Sequence, residues 1–153
     1  MAVSFHNEDC RFLPHDRRKI TAWVKDVIAT EGYRAGDIAY IFCSSDYHLN
    51  INRTYLNHDY NTDVITFDYS DLDEGTVSGD IFIDPFTVRY NAETFGTQPA
   101  EEIMRVIIHG VLHLCGHGDK APEEATVMRT LEERSLAAWR EGYGEYPPFN
   151  VKA

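Results

Sequence analysis

Residues 99–119 read PAEEIMRVIIHGVLHLCGHGD, and this stretch combines a long apolar helix pattern with several metal-capable side chains. Pro99 is tolerated in a first helical turn, and the apolar residues that follow cover more than one face, which predicts a central, largely buried helix. His109 and His113 stand four residues apart, so their imidazoles project from the same side of that helix and are able to chelate one cation. Gly116 then allows the chain to leave the helix and turn back.

A third ligand is expected in the loop after the helix, where the candidates are Asp119 and His117. Carboxylate oxygen and imidazole nitrogen bind zinc at similar distances, so either residue is chemically acceptable. His117 follows His113 by only four residues, before the chain has turned fully. We therefore favour Asp119 as the ligand and expect His117 to line the cleft or to orient a ligand. Three protein ligands leave one position of a tetrahedral Zn²⁺ open for water, as in catalytic sites.

Gly110 follows the first histidine at the position where the zinc-protease pattern H-E-x-x-H has its glutamate base. Glycine cannot accept a proton, so the metal site is predicted to lack a base of its own, and peptide hydrolysis is disfavoured. Glycine inside a helix costs roughly 1 kcal/mol relative to alanine. Its presence predicts that a backbone or a substrate approaches the helix closely at this point.

The cysteines Cys10, Cys43 and Cys115 are odd in number, and no export signal precedes them, which predicts a cytoplasmic protein with free thiols. Cys115 lies two residues after His113, away from the ligand side of the helix, and is expected to be a small buried apolar residue rather than a ligand. No apolar stretch approaches the ~20 residues that span a bilayer, so no membrane insertion is expected.

The chain has 153 residues, which fits one domain over residues 1–153, and 43% of them are hydrophobic. Its net charge of -11 argues against binding nucleic acid through a broad basic surface, and no DNA partner is expected. Any contacts with RNA must therefore come from a few positively charged side chains at one place on the surface. One basic cluster, interpreted as a solvated helix face, occurs near the start of the chain: Arg11, Arg17, Arg18, Lys19 and Lys25.

Hydrophobic periodicity predicts an α+β fold: a single compact domain in which a small mixed β-sheet packs against about five helices, with the metal-binding helix at the centre. Strands are expected at residues 3–5, 37–43, 64–69 and 79–84, the last two as an antiparallel pair. Helices are expected at residues 16–32, 44–56, 85–96, from 99 onward, and from 122 to 142–144. The core-facing side of the last helix is predicted to contain Val127, Met128, Leu131, Leu136 and Trp139.

The segment from His109 resembles the H-G-x-L-H-L-x-G signature of the YbeY-type rRNA maturation factors, a family of metal-dependent, single-strand-specific endoribonucleases. Residues 52–67, NRTYLNHDYNTDVITF, are similar to the family block N-x-x-Y-R-x-K-D-x-x-T-D-V-L-S-F, and Gly79-Asp80-Ile81 matches its G-D-I strand. The resemblance implies a zinc-dependent endoribonuclease of rRNA maturation. Its implied partners are single-stranded rRNA, the small ribosomal subunit and the assembly factors of that subunit.

The sequence departs from the family pattern at two positions. Asp119 stands where the family usually has a histidine. Its negative charge is expected to make the metal a weaker Lewis acid and to widen metal choice toward harder cations. Leu56 stands where the family commonly has an arginine that the resemblance links to RNA cleavage. Arg53, about one helical turn earlier, is a candidate substrate-binding residue in its place.

Because Gly110 supplies no base, proton transfer must come from another group, and the candidates are His58, Asp63 and His117. The sequence leaves open whether water or the neighbouring 2′-hydroxyl attacks phosphorus. Single-stranded RNA is expected to stack on exposed aromatic side chains and to contact a few cations.

Two other functions remain open at this stage. The first is a metal-dependent hydrolase of peptides or small amides. The second is a non-catalytic ribosome assembly factor in which the metal orders the fold, and both Leu56 and the net charge of -11 favour it.

Overall fold

The computed structural model describes residues 2–56 and 62–151. Within them, strands and helices alternate through the first four elements, two successive strands follow, and three consecutive helices end the fold. The elements in chain order are β1 (Val3–Asn7), α1 (Arg17–Thr30), β2 (Arg34–Phe42), α2 (Ser45–Leu56), β3 (Val64–Asp68), β4 (Thr76–Ile83), α3 (Pro85–Phe95), α4 (Pro99–Leu114) and α5 (Pro122–Tyr143).

The four strands form one sheet in the order β1-β2-β4-β3. β1 and β2 are parallel, as are β2 and β4, whereas β3 and β4 pair antiparallel with Thr66 opposite Ile81. The predictions of a mixed sheet in a single α+β domain and of the antiparallel pair are therefore confirmed. This order leaves β3 as an edge strand beside α4, which it contacts.

β2 and β4 both begin earlier than the sequence predicts. β2 starts at Arg34 rather than residue 37, and β4 at Thr76 rather than residue 79. Arg34 and Ala35 pair with Thr76 and Val77, and the register then shifts at a bulge before Ile38. Main-chain pairing between neighbours, rather than strand propensity of these residues, thus fixes where the strands start.

α4 packs against the sheet, and most of its side chains are buried, as predicted. The Tyr40 hydroxyl of β2 donates a 2.9 Å hydrogen bond to the Ile107 carbonyl. A Cβ added at Gly110 would lie 2.8 Å from Cγ2 of Ile81 on β4. The close neighbour at Gly110 is therefore an apolar side chain of the sheet, and the prediction that a backbone or a substrate approaches there is wrong.

The helices after the sheet begin and end close to the predicted positions. Asp84 caps α3 by accepting hydrogen bonds from the backbone N–H groups of Phe86 and Thr87, and Gly96 ends that helix in the left-handed conformation. On α5 the predicted core side is buried at Met128, Leu136 and Trp139, but Val127 is 48% exposed, so its predicted place in the core is wrong. Val127 lies near the amino-terminal end of α5, where residues 122–126 are also exposed.

The three cysteines are free and buried within the described chain, Cys115 among them. Burial raises the pKa of the Cys115 thiol to about 12. A thiol so rarely deprotonated is a poor nucleophile and a poor metal ligand, which agrees with the apolar role expected for it. Among the described residues, no helix combines the length and the hydrophobicity needed to cross a membrane.

Candidate metal centre

His109 and His113 lie side by side on the last turns of α4. Their ring centroids are 4.4 Å apart and the rings are nearly perpendicular. The two Nε2 atoms are 2.9 Å apart and both imidazoles are partly exposed. The helical spacing of four residues therefore produces the paired nitrogens that the sequence predicts.

The chain turns back immediately after α4 and brings Asp119 to this pair. Gly116 adopts a left-handed φ of 101°, which glycine accepts without strain, and the N–H of His117 bonds the Leu112 carbonyl at 3.1 Å. Oδ2 of Asp119 lies 3.3 Å from Nε2 of His109 and 3.4 Å from Nε2 of His113. The structure thus places all three predicted ligands in one cluster.

Hydrogen bonds at the far side of each ring fix which nitrogen faces the cluster. Nδ1 of His109 lies 2.6 Å from a carboxylate oxygen of Glu132, and Nδ1 of His113 lies 2.8 Å from the main-chain carbonyl of His117. Both acceptors require a proton on Nδ1, which leaves the Nε2 lone pairs directed at Asp119. Such outer hydrogen bonds are typical of histidines that bind metal.

Glu132 contacts the candidate centre, and the sequence alone did not predict this position. It lies on α5, is only 5% exposed, and is also 3.3 Å from the guanidinium of Arg105. Arg105 is itself buried and forms ion pairs with Glu102 and Glu133. One feature of the sequence points to Glu132. It lies four residues after Met128, on the side of α5 that faces the core, where an apolar residue would be expected.

Charges around His109 shift its proton affinity. Burial alone would lower the pKa of this histidine, but the hydrogen bond and charge of Glu132, with the charges of Asp119 and Asp63, raise it above its usual value. Burial raises the pKa of Asp63, and the charge of His109 opposes this shift. The carboxylates therefore give the centre a negative electrostatic potential, which attracts a proton or a metal cation.

The donor geometry suits a tetrahedral cation. Ligand atoms 2.0–2.1 Å from a shared zinc ion lie about 3.3 Å apart in tetrahedral geometry. The two distances that Asp119 makes to the histidines match this value, whereas the separation of 2.9 Å between the nitrogens is somewhat shorter. Two lone pairs that face each other so closely repel unless a proton or a cation lies between them.

The remaining predicted site residues have different positions. Asp63 lines the cleft beside the cluster. The imidazole of His117 instead contacts the carboxylate of Glu31, so only its main-chain carbonyl reaches the centre. Arg53 is exposed on α2 and is not among the described residues that line the cleft. His58 falls outside the described residues.

The cluster opens into a cleft of about 540 Å³ between α4, the loop before α5 and the edge strand β3. This volume is typical of ligand-binding clefts. Leu56 lines it at the end of α2, so the position where the resemblance implies an arginine lies at the site. The described lining residues are Leu56, Thr62, Asp63, Val64, Ile65, Thr66, Glu102, Arg105, Val106, His109, His113, Asp119, Lys120 and Glu132.

Fold and donor set together define a class: a one-domain α+β protein whose His-His-Asp cluster lines an open cleft and is able to hold a metal ion. Comparison with known proteins identifies the family within that class. A family described as Endoribonuclease YbeY matches residues 4–140 of the chain. The chain therefore belongs to the endoribonuclease YbeY family.

Proteins named Endoribonuclease YbeY are similar over almost their whole length. The one from Parabacteroides distasonis is 49% identical over 90% of this chain and 95% of its own. The one from Bacteroides thetaiotaomicron is 50% identical over 90% of this chain and 98% of its own. A solution structure of a Thermotoga maritima protein shares the fold with a TM-score of 0.61 at 24% identity, covering 94% of this chain and 95% of the other.

Proposed function

We propose that this protein is a zinc-dependent endoribonuclease that cleaves single-stranded rRNA during maturation of the small ribosomal subunit. The observation that carries the proposal is the arrangement of His109, His113 and Asp119 along an open cleft, in a member of the endoribonuclease YbeY family.

Zinc is the metal that this ligand set favours. Two imidazole nitrogens and one carboxylate oxygen form a common catalytic zinc set and leave a fourth position for water or substrate. The carboxylate of Asp119 also suits harder cations such as Mn²⁺. A divalent cation held here would supply positive charge to the phosphoryl group as negative charge builds up on its oxygens.

Cleavage of the RNA chain requires one new P–O bond, to water or to the neighbouring 2′-oxygen, and loss of the P–O bond to the departing ribose. The attacking oxygen gives up a proton and the departing oxygen takes one. Of the two candidates within the described residues, Asp63 is the better placed acceptor, since it lines the cleft and burial raises its pKa above the ordinary value. The side chain of His117 is directed at Glu31 and is poorly placed for this task.

The surface around the cleft supports binding of single-stranded rather than duplex RNA. Tyr55, on the last turn of α2 beside Leu56, is 70% exposed and offers a face on which an unpaired base could stack. The net charge of -11 argues against binding along the backbone of a long duplex or of DNA. Cytoplasmic location and association with small-subunit assembly factors follow from the substrate, and three free buried cysteines support a reducing compartment.

One observation favours a second function, hydrolysis of a peptide. β3 is an edge strand, and Val64, Ile65 and Thr66 of this strand line the cleft, so an extended peptide could pair with its free edge next to the metal centre. The absence of a glutamate at Gly110 weighs against this alternative, because that residue is the base of the H-E-x-x-H proteases.

A cleavage assay on zinc-loaded protein separates the candidates. Single-stranded rRNA fragments, the same sequences as duplexes and as DNA, and a mixture of unstructured peptides would be incubated with wild type and with His113→Ala. Cleavage of single-stranded RNA alone, lost in the variant and on chelation, is the expected result. Peptide cleavage without RNA cleavage would favour the second function, and RNA binding without any turnover would indicate a non-catalytic assembly factor.

A further inference from the structure

The cleft that holds the metal centre is lined by more acidic than basic side chains, which is unfavourable for a polyanionic substrate. Its described acidic residues are Asp63, Glu102, Asp119 and Glu132, and its described basic residues are Arg105 and Lys120. A phosphodiester that enters this cleft needs a cationic partner besides the metal.

Arg105 is not available for this role. The guanidinium is buried and lies 3.3 Å from Glu132, 2.8 Å from Glu133 and 3.5 Å from Glu102. Three carboxylates therefore compensate its charge, and one of them also orients His109. Turning Arg105 toward a substrate would break contacts that hold the metal centre together.

Lys120, unlike Arg105, is available to contact a substrate. It is exposed, it lines the cleft directly after Asp119, and no ion pair within residues 2–56 and 62–151 includes it. Its main chain lies between two restrained neighbours. Asp119 contacts both histidines, and the N–H of Ala121 donates a 3.2 Å hydrogen bond to the carboxylate of Glu124.

We propose that Lys120 is a catalytic residue that contacts a non-bridging oxygen of the RNA phosphate bound at the metal centre. The inference rests on the proposed function and adds a specific phosphate-binding group to it. A lysine ammonium on a flexible stem suits this role, because it forms up to three hydrogen bonds without a fixed orientation. Leu56 also lines the cleft but has no charge to offer.

The contact acts on both binding and rate. Charge on the non-bridging oxygens increases as the attacking oxygen adds to phosphorus, so a nearby ammonium stabilises the transition state more than the bound substrate. Loss of this contact should lower kcat/KM by roughly ten-fold or more, less than for a buried oxyanion donor because Lys120 is exposed. It should also reduce the salt dependence of RNA binding by about 0.7 in log–log slope, as for one contact to a single strand.

The test uses zinc-loaded wild type, Lys120→Ala and Lys120→Arg, with Lys25→Ala as the matched control, since Lys25 is exposed on α1 outside the cleft. Three quantities are measured for each protein. They are kcat and KM on a single-stranded RNA, the affinity for a labelled 2′-O-methyl oligonucleotide of the same sequence at several salt concentrations, and the zinc content.

The expected result is a lower kcat/KM and a shallower salt slope for Lys120→Ala, substantial rescue in Lys120→Arg, a control like wild type, and equal zinc in all four proteins. A Lys120→Ala variant with wild-type kinetics and salt slope would overturn the inference and leave the proposed function standing. Loss of zinc in proportion to activity would also overturn it, because Lys120 would then only support Asp119. A wild type that neither binds nor cleaves RNA would overturn the proposed function and this inference together.

Discussion

The carboxylate of Glu132 on α5 accepts a 2.6 Å hydrogen bond from Nδ1 of His109 on α4, and this contact connects the last helix of the fold to the metal centre. Glu132 is buried and also forms an ion pair with Arg105. The hydrogen bond sets both the ring orientation and the tautomer of His109, so its Nε2 lone pair faces His113 and Asp119. Packing of α5 on α4 therefore places a buried carboxylate against one of the two histidines.

Replacing Glu132 with alanine should weaken zinc binding by about 10–100-fold, because the ring of His109 loses its orienting partner. The affinity can be measured by competition with a chromogenic chelator. Glu133→Ala is the matched control, since Glu133 contacts Arg105 at 2.8 Å but makes no contact with His109 among the described interactions. Equal zinc affinities for the two variants would contradict the role assigned to Glu132.

Asp119 and His117 should respond differently to alanine substitution. Asp119→Ala removes one of three donor atoms and should reduce bound zinc to well below one equivalent after dialysis, as measured by elemental analysis. His117→Ala keeps the main-chain carbonyl that orients His113 and removes only the contact with Glu31, so its zinc content should remain near that of wild type. The reverse outcome, an empty site only in His117→Ala, would show that the ligand assignment is wrong.

The local part of this site is predictable from sequence, and the long-range part is not. The pairing of His109 with His113 follows from helical periodicity, and the return of Asp119 follows from Gly116. The contact of Glu132 with His109 joins residues 23 positions apart on different helices. It depends on how α5 packs against α4, which no local pattern specifies.

Long-range contacts, which local sequence patterns do not specify, also explain the side-chain direction of His117 and the early starts of β2 and β4. Glu31, the partner of the His117 imidazole, lies 86 positions away at the end of α1. The early strand residues pair because their neighbours hold them in register. Tertiary contacts override local preference in each case.

Gly110→Ala should destabilise the protein despite the better helix propensity of alanine. The new methyl would lie 2.8 Å from Cγ2 of Ile81 in a packed core, and such overpacking typically costs about 1–3 kcal/mol, against a helical gain of about 1 kcal/mol. Chemical denaturation measures the change. In an Ile81→Ala background the same substitution should cost less or become favourable, because the opposing side chain is gone. Additive effects of the two substitutions would contradict the contact.

His48 should make stability depend on pH below neutrality. Its side chain is buried, Nε2 donates to the Phe82 carbonyl at 3.1 Å, and Nδ1 has no hydrogen-bond partner among the described residues. Burial lowers the pKa of His48 below its ordinary value of 6.5, only partly opposed by the hydrogen bond to Phe82 and by nearby carboxylates. Because the pKa of His48 is lower in the folded than in the unfolded chain, the neutral imidazole stabilises the fold fully above pH 6.5. This stability is lost as the pH falls below 6.5 and through the pKa of His48 in the folded chain.

His48→Gln keeps a donor of similar reach but does not titrate, so comparison with wild type isolates this contribution. The free energy of unfolding, measured by urea denaturation between pH 5 and 8, should fall more steeply toward acid for wild type than for the variant. The difference in slope is at most about 1.4 kcal/mol per pH unit. His6→Gln, at an exposed position on β1, serves as the control and should follow the wild-type curve. Parallel curves for wild type and His48→Gln would show that His48 binds protons equally well in the folded and unfolded chain.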